Sequence, residues 1–261
     1  MSVLHDLLAL VSGGAVGFVL GLIGGGGSIL AVPLLVYVVG VSNAHVAIGT
    51  SAIAVGASAA VNLAGHARMR TVKWPCALVF AAAGIFGAAT GAQIGKMVDG
   101  HRLLLLFGVL MVVIGLTMLR PRKSGGDAEV KLTRANMTRL LPLLIGIGFG
   151  VGLLSGFFGI GGGFLIVPGL MAATGMPLIN AIGSSLVSVT TFGLTTAASY
   201  AWSGLVDWLL ALLFVAGGVF GGFLGIKLAH RMSGHRHALT LTFSGVVIAV
   251  GFYVVARSLG W

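Results

Sequence analysis

Charge is what this chain has least of. Only 8% of its 261 residues are Asp, Glu, Lys or Arg, and 57% are hydrophobic. A soluble globular protein carries roughly 25% charged residues, so there is too little charge here to wet a surface. A soluble fold is excluded. Acids are scarcest, with only Asp6, Asp99, Asp127, Glu129 and Asp207, all near the ends of apolar runs or in the one polar stretch. No carboxylate is left in mid-membrane to bind a cation or relay a proton, which argues against cation pumps and for an anionic or neutral cargo. The single cysteine, Cys76, excludes an internal disulfide and a multi-cysteine metal site. It reads better as a small residue at a helix start than as a redox thiol, which needs an exposed, electropositive setting, although Lys73 lies near. A membrane-embedded enzyme would need a nucleophile–base pair or a metal cluster. Dispersed histidines and one cysteine supply neither, so no catalytic residue, metal or cofactor is expected.

Apolar runs fill nearly the whole length, and a spanning helix needs ~20 such residues. The net charge of +10 comes from basic residues between those runs, where they act as topology signals and not as a nucleic-acid surface. The N-terminal run could pass for a signal peptide, but it carries Asp6 where a basic region is expected and its equivalent recurs in mid-chain. It is therefore read as part of the mature protein.

That recurrence is an internal duplication. Gly24-Gly25-Gly26-Gly27-Ser28-Ile29-Leu30-Ala31-Val32-Pro33 returns as Gly159-Ile160-Gly161-Gly162-Gly163-Phe164-Leu165-Ile166-Val167-Pro168. Ala47-Ile48-Gly49-Thr50-Ser51 returns as Ala181-Ile182-Gly183-Ser184-Ser185, Trp74 as Trp208, and Gly100-His101-Arg102 as Gly234-His235-Arg236. The chain divides into a first transmembrane repeat (1–120), a basic linker (121–139) expected to be cytoplasmic, and a second repeat (140–261). Each repeat reads as an all-α unit: an apolar run (7–23; 140–158), a glycine cluster, a short run (28–41; 164–176), then three full spans (46–65, 74–95 and 103–119; 181–201, 208–226 and 238–256). The short runs reach only ~20 Å at 1.5 Å per residue, against a hydrocarbon core of ~30 Å. Counted as crossings they make the repeats inverted; uncounted, they make them parallel. Inverted repeats place Arg68, Arg70, Lys73, Arg231 and Arg236 on the same side as the linker, in keeping with the positive-inside tendency, and are the preferred reading. The setting is the inner (cytoplasmic) membrane, multi-pass.

Inverted transporter repeats place substrate at interrupted helices near the midplane. Four consecutive glycines make poor helix, each costing ~1 kcal/mol relative to Ala, so a break at Gly24–Gly27 and Gly159–Gly163 is favoured over glycine serving helix packing alone. A break exposes backbone N–H groups at the start of the next half-helix, and these favour an anion. The candidate substrate-binding residues are Gly25, Gly26, Gly27 and Ser28 with Gly161, Gly162 and Gly163. No Lys-Ser/Thr follows either cluster, so a nucleotide loop is unsupported. Thr50, Ser51, Ser184 and Ser185 add hydroxyl donors without a buried charge, with Asn43 and Asn180 in support. For each of these polar residues, capping or interhelical bonding is an equal alternative. Pro33 and Pro168 fall in the second turn of the half-helix, or mark a kink. His45 and His66 are read as interfacial, and Lys96 as snorkelling or as attracting anions at a mouth.

With both glycine motifs and both Ala-Ile-Gly-(Thr/Ser)-Ser motifs in duplicate, the chain resembles the TauE/SafE sulfite exporter family over residues 9–257. The resemblance implies secondary transport, without ATP, of a small sulfur-containing anion or organosulfur compound of the sulfite, thiosulfate or sulfonate class. Alternating access is the expected mode and a passive anion channel the alternative. Protons are the candidate coupling ion; the partners are the cargo and the lipid bilayer, with no nucleic acid. Cargo identity, direction and oligomeric state do not follow from the resemblance.

Overall fold

Every expected apolar run is a helix in the computed structural model, which describes residues 3–23, 25–119, 134–159, 163–231 and 236–259. In chain order the helices are α1 (Val3–Ile23), α2 (residues 25–39), α3 (Ala44–Arg68), α4 (Trp74–Met97), α5 (Gly100–Leu119), α6 (Arg134–Phe158), α7 (Gly163–Thr174), α8 (Leu178–Trp202), α9 (Trp208–Arg231) and α10 (Arg236–Ser258). No strand occurs among the described residues. Eight of these helices are long and apolar enough to cross a membrane, and α2 and α7 are the two short ones. Helix α6 begins at Arg134, inside the stretch read as linker, because Asn136 to Arg139 continue into the apolar run without a breaker.

Local chemistry sets the ends. Asn43 caps α3, its Oδ1 accepting from the N–H of His45 at 2.9 Å and of Val46 at 3.4 Å. Asp99 does the same for α5 through His101 and Arg102, at 3.0 and 3.3 Å. Asp207 accepts from the N–H of Leu210 at 3.0 Å at the start of α9. Pro75 sits in the first turn of α4, where a missing N–H has no intrahelical partner to lose. Helices α3 and α8 end in one and the same turn: Thr71 N–H bonds the His66 carbonyl, and Leu205 N–H the Tyr200 carbonyl. That turn needs a left-handed residue, which is Gly204 at φ 70° in one copy and Arg70 at φ 55° in the other. The non-glycine leaves the geometry unchanged and carries the strain.

Glycine seams hold the bundle. On α1 and α9, a Cβ added at Gly17 would land on the backbone of Gly218, and one at Gly221 on that of Gly14. On α4 and α6, a Cβ at Gly152 would land on Gly84, and one at Gly87 on Phe149. Such close backbone approach is the membrane substitute for hydrophobic burial. The two seams interchange when each residue is replaced by its counterpart in the other copy, so every seam joins one repeat to the other. Both seams are parallel: Gly13 meets Phe214, and Gly225 meets Phe18 further on.

Helices α3 and α8 form the centre, with 67% and 56% of their most apolar windows buried against 33% for α1, α5, α6 and α10. They run antiparallel. Gly49 packs on Tyr200 and Leu205, Gly56 on Gly193, and Gly183 on Thr71. Helices α5 and α10 also run antiparallel, Gly108 meeting Gly251 and Gly115 meeting Ser244 and Ile248.

Candidate functional site

The glycine clusters interrupt the chain as expected. Helix α1 stops at Ile23, and the next element opens as a 3-10 segment, Gly25–Leu30. It turns back on α1: a Cβ at Gly27 would lie 2.5 Å from the Leu20 amide nitrogen and 2.9 Å from the Val16 carbonyl, so only glycine allows the fold-back. A single α turn, Ala31–Pro33, then leads into a π segment, Leu34–Val39, closed by Gly40 at φ 89°. In the second copy α6 stops at Phe158 and Gly159 takes φ 67°. Helix α7 then runs regularly from Gly163 to Thr174 with Pro168 inside it and ends at Gly175, φ 71°. Pro168 thus needs no kink, whereas at Pro33 the helix changes from α to the wider π form, as follows where a proline withholds an N–H. Gly161 and Gly162 lie outside the described residues.

The first residues of α2 pack against α7. Gly27, Ser28 and Gly163 are all buried there. Gly159 abuts Ile48 of α3, while residues 25–30 touch α8. Each break therefore sits beside the helix that carries the other copy's hydroxyl pair.

Those hydroxyls are fully buried and work in matched pairs. Thr50 Oγ1 accepts from the backbone N–H of Asp207 at 3.0 Å, and Ser184 Oγ from that of Lys73 at 2.9 Å. Ser51 donates to the Ile48 carbonyl at 2.9 Å, and Ser185 to the Ile182 carbonyl at 2.7 Å. Thr50 and Ser184 thus retain their own protons, and Ser51 and Ser185 spend theirs on the helix. The four do not form one cluster. Thr50 lies six residues from the Gly56–Gly193 crossing and Ser184 nine on the other side, roughly 9 and 13 Å along the axes. Asn43 is a cap at the exposed end of α3, and Asn180 donates from Nδ2 to the Thr71 carbonyl at 3.0 Å.

Other polar groups stand out only in three dimensions. Ser155 on α6 and Ser188, Thr196, Ser199 and Tyr200 on α8 have buried hydroxyls without a partner. The run of Ser and Thr along 184–199 was the available signal. Lys96 does more than snorkel: its Nζ bonds the Ser199 carbonyl at 3.2 Å and Ser203 Oγ at 3.0 Å, and lies 5.8 Å from the Tyr200 ring centre. His45 borders an open depression of about 360 Å³ with Asn43, Asp99 and His101. His66 Nδ1 is 3.0 Å from Thr71 Oγ1, within the turn after α3. Among the described residues no group of three or more His, Cys, Asp or Glu converges for a metal ion.

Known proteins are similar over the whole length. A probable membrane transporter protein of Xylella fastidiosa is 53% identical over 258 residues, covering 99% of this chain and 98% of its own. The probable membrane transporter protein YunE of Bacillus subtilis is 29% identical, covering 95% and 97%. A probable membrane transporter protein of Methanocaldococcus jannaschii is 25% identical, covering 92% and 93%. No solved structure matches the chain. The family model described as sulfite exporter TauE/SafE matches residues 9–254, nearly the full span of the two repeats and both glycine breaks, and the chain is a membrane transporter of that family.

Proposed function

We propose that this transporter is secondary, carries a small sulfur-containing anion or organosulfur compound of the sulfite, thiosulfate or sulfonate class, and works by alternating access in the inner membrane. The observation that carries the reading is the packing of the glycine-opened start of α2 against α7, the short helix that follows the other glycine cluster. Backbone N–H groups there, from Gly25 to Ser28 and from Gly161 to Gly163, would bind the anion with the half-helix dipoles behind them. Thr50 and Ser184 would add hydroxyl protons from the flanks, with Ser51 and Ser185 positioning those flanks, and Asn43 and Asn180 shaping the ends of α3 and α8. The antiparallel run of α3 against α8 supports inverted repeats, with α2 and α7 each passing from the middle toward opposite faces. That topology gathers the ends of α3, α5 and α9 on the linker face, where Arg68, Arg70 and Lys73 support a cytoplasmic assignment. Exchange of inverted halves around a fixed site is how such folds alternate.

Purified protein in liposomes should accumulate labelled sulfite, thiosulfate or methanesulfonate, faster with a proton gradient if protons are coupled. Gly26→Leu and Gly162→Leu should each abolish flux while leaving membrane insertion intact. Wild-type rates in both would refute the site, and unitary currents in a planar bilayer would replace the carrier by a channel.

A further inference from the structure

The exchange symmetry of the bundle gives two equivalent mouths, one between α3 and α9 and one between α4 and α8, and they are not alike. At the α4–α8 mouth, Lys96 reaches across from α4 to the Ser199 carbonyl and Ser203 Oγ of α8 and bridges the gap. At the α3–α9 mouth there is instead a crevice of about 190 Å³, lined by Val61, Asn62, Ala64, Gly65, Arg68 and Phe223. This is roughly six water volumes, ample for an ion of four or five heavy atoms.

The crevice has a polar end and a charged rim. Asn62 is only 4% exposed, and its carboxamide lies over Gly222, where a Cβ would come 3.2 Å from Oδ1. Neither Asn62 nor Arg68 has a hydrogen-bond or ion-pair partner among the described residues. The amide borders the crevice, so its hydrogen-bonding capacity is open to a ligand or water that fills the space before it. Arg68 stands six residues further along α3, ~9 Å toward the linker face, with a free guanidinium suited to an oxyanion. The counterpart of Asn62 is Thr196 and that of Arg68 is Trp202, so the pair exists in one copy only.

We propose that this crevice is an oxyanion-binding vestibule on the linker face, in which Arg68 captures the ion at the rim and the Asn62 amide N–H groups receive it on the way to the glycine breaks. The inference rests on the transport reading and adds a one-sided site to it. Its ligand chemistry is a compact anionic oxygen cluster, free in solution as sulfite or methanesulfonate, or presented by a lipid phosphate; the solute is the proposed occupant.

Initial rates of labelled sulfite and methanesulfonate transport are to be measured in everted and right-side-out vesicles, for wild type, Arg68→Gln, Arg68→Lys and Asn62→Leu. Losing a hydrogen bond to a charged ligand should raise KM about tenfold from the linker face, with KM from the opposite face and the maximal rate unchanged. Arg68→Lys should give a linker-face KM between those of Arg68→Gln and wild type, since it keeps the charge but loses the forked donor geometry. Arg68 is exposed at a helix end, so its variant reads the site even if Asn62→Leu folds poorly. Unchanged linker-face KM in Arg68→Gln, or equal rises on both faces, would overturn the proposal. So would an effect present in liposomes containing phosphatidylglycerol and absent in phosphatidylcholine alone, which would assign the crevice to a lipid headgroup. Wild-type vesicles that carry neither anion would instead sink the transport reading itself.

Discussion

Replacing Thr50 by Val and Ser184 by Ala removes the two side-chain oxygens that reach from one repeat to the backbone of the other. Each substitution strips the acceptor from one N–H, that of Asp207 or of Lys73. An N–H buried without an acceptor costs about 1–3 kcal/mol. Both sites are part-buried at helix starts, where water can partly compensate, so the lower limit of about 1 kcal/mol applies. For chains of this size about 1 kcal/mol moves the melting midpoint by roughly 2–4 °C. The two sites lie on opposite sides of the α3–α8 crossing, far enough apart for their effects to add, and the double variant should melt roughly 4–8 °C below wild type. Ser51→Ala and Ser185→Ala lose a bond to a carbonyl of their own helix and should shift the midpoint far less. Tryptophan fluorescence in detergent during heating reads all six proteins: wild type, the four single variants and the double. Equal stability of wild type and the double variant would refute the clamp, and loss of transport without loss of stability would show that these oxygens face the cargo alone.

Other perturbations follow from the same geometry. Gly17→Leu or Gly152→Leu drives a side chain into the backbone of the facing helix, an overpacking cost of about 1–3 kcal/mol or more, and should lower both melting midpoint and yield. Arg70→Gly relieves a left-handed non-glycine residue and should raise stability by about 1 kcal/mol, measurable as a higher midpoint; a lower one would mean that Arg70 contributes more through its side chain than its backbone costs. Lys96→Met keeps the apolar stem but removes the bridge to α8, so hydrogen exchange over residues 200–207 should quicken; unchanged exchange would show that the bridge does not restrain that end.

Much of the fold is legible because hydrophobicity and glycine act locally. Apolar runs set the spans to within a few residues, and the helix-forming cost of consecutive glycines marks both interruptions. The pairings were not legible. The Asp207–Thr50 bond joins residues 157 apart and the Lys73–Ser184 bond residues 111 apart, and nothing local says which backbone a hydroxyl will meet. The π segment after Pro33 was hidden for a different reason: the matching Pro168 sits in ordinary α-helix, so the same residue in the same motif gives two outcomes depending on what packs around it. Arg70 stands where the other copy has Gly204, yet it adopts the same conformation because the surrounding hydrogen bonds over-determine it. Arg68 reads in the sequence only as a topology signal and Asn62 not at all, since a carboxamide and a basic residue near a helix end are ordinary until the empty space beside them is known.

The glycine seams also dictate an order of assembly. Helix α1 has its close partner far along the chain, in α9, and α4 finds its own only in α6. During synthesis α1 must therefore wait in the bilayer, unmated, while some two hundred residues are threaded in behind it. A half-length product ending in the linker would own both donor faces and neither recipient, leaving its glycine grooves open to any passing helix until a second half arrives.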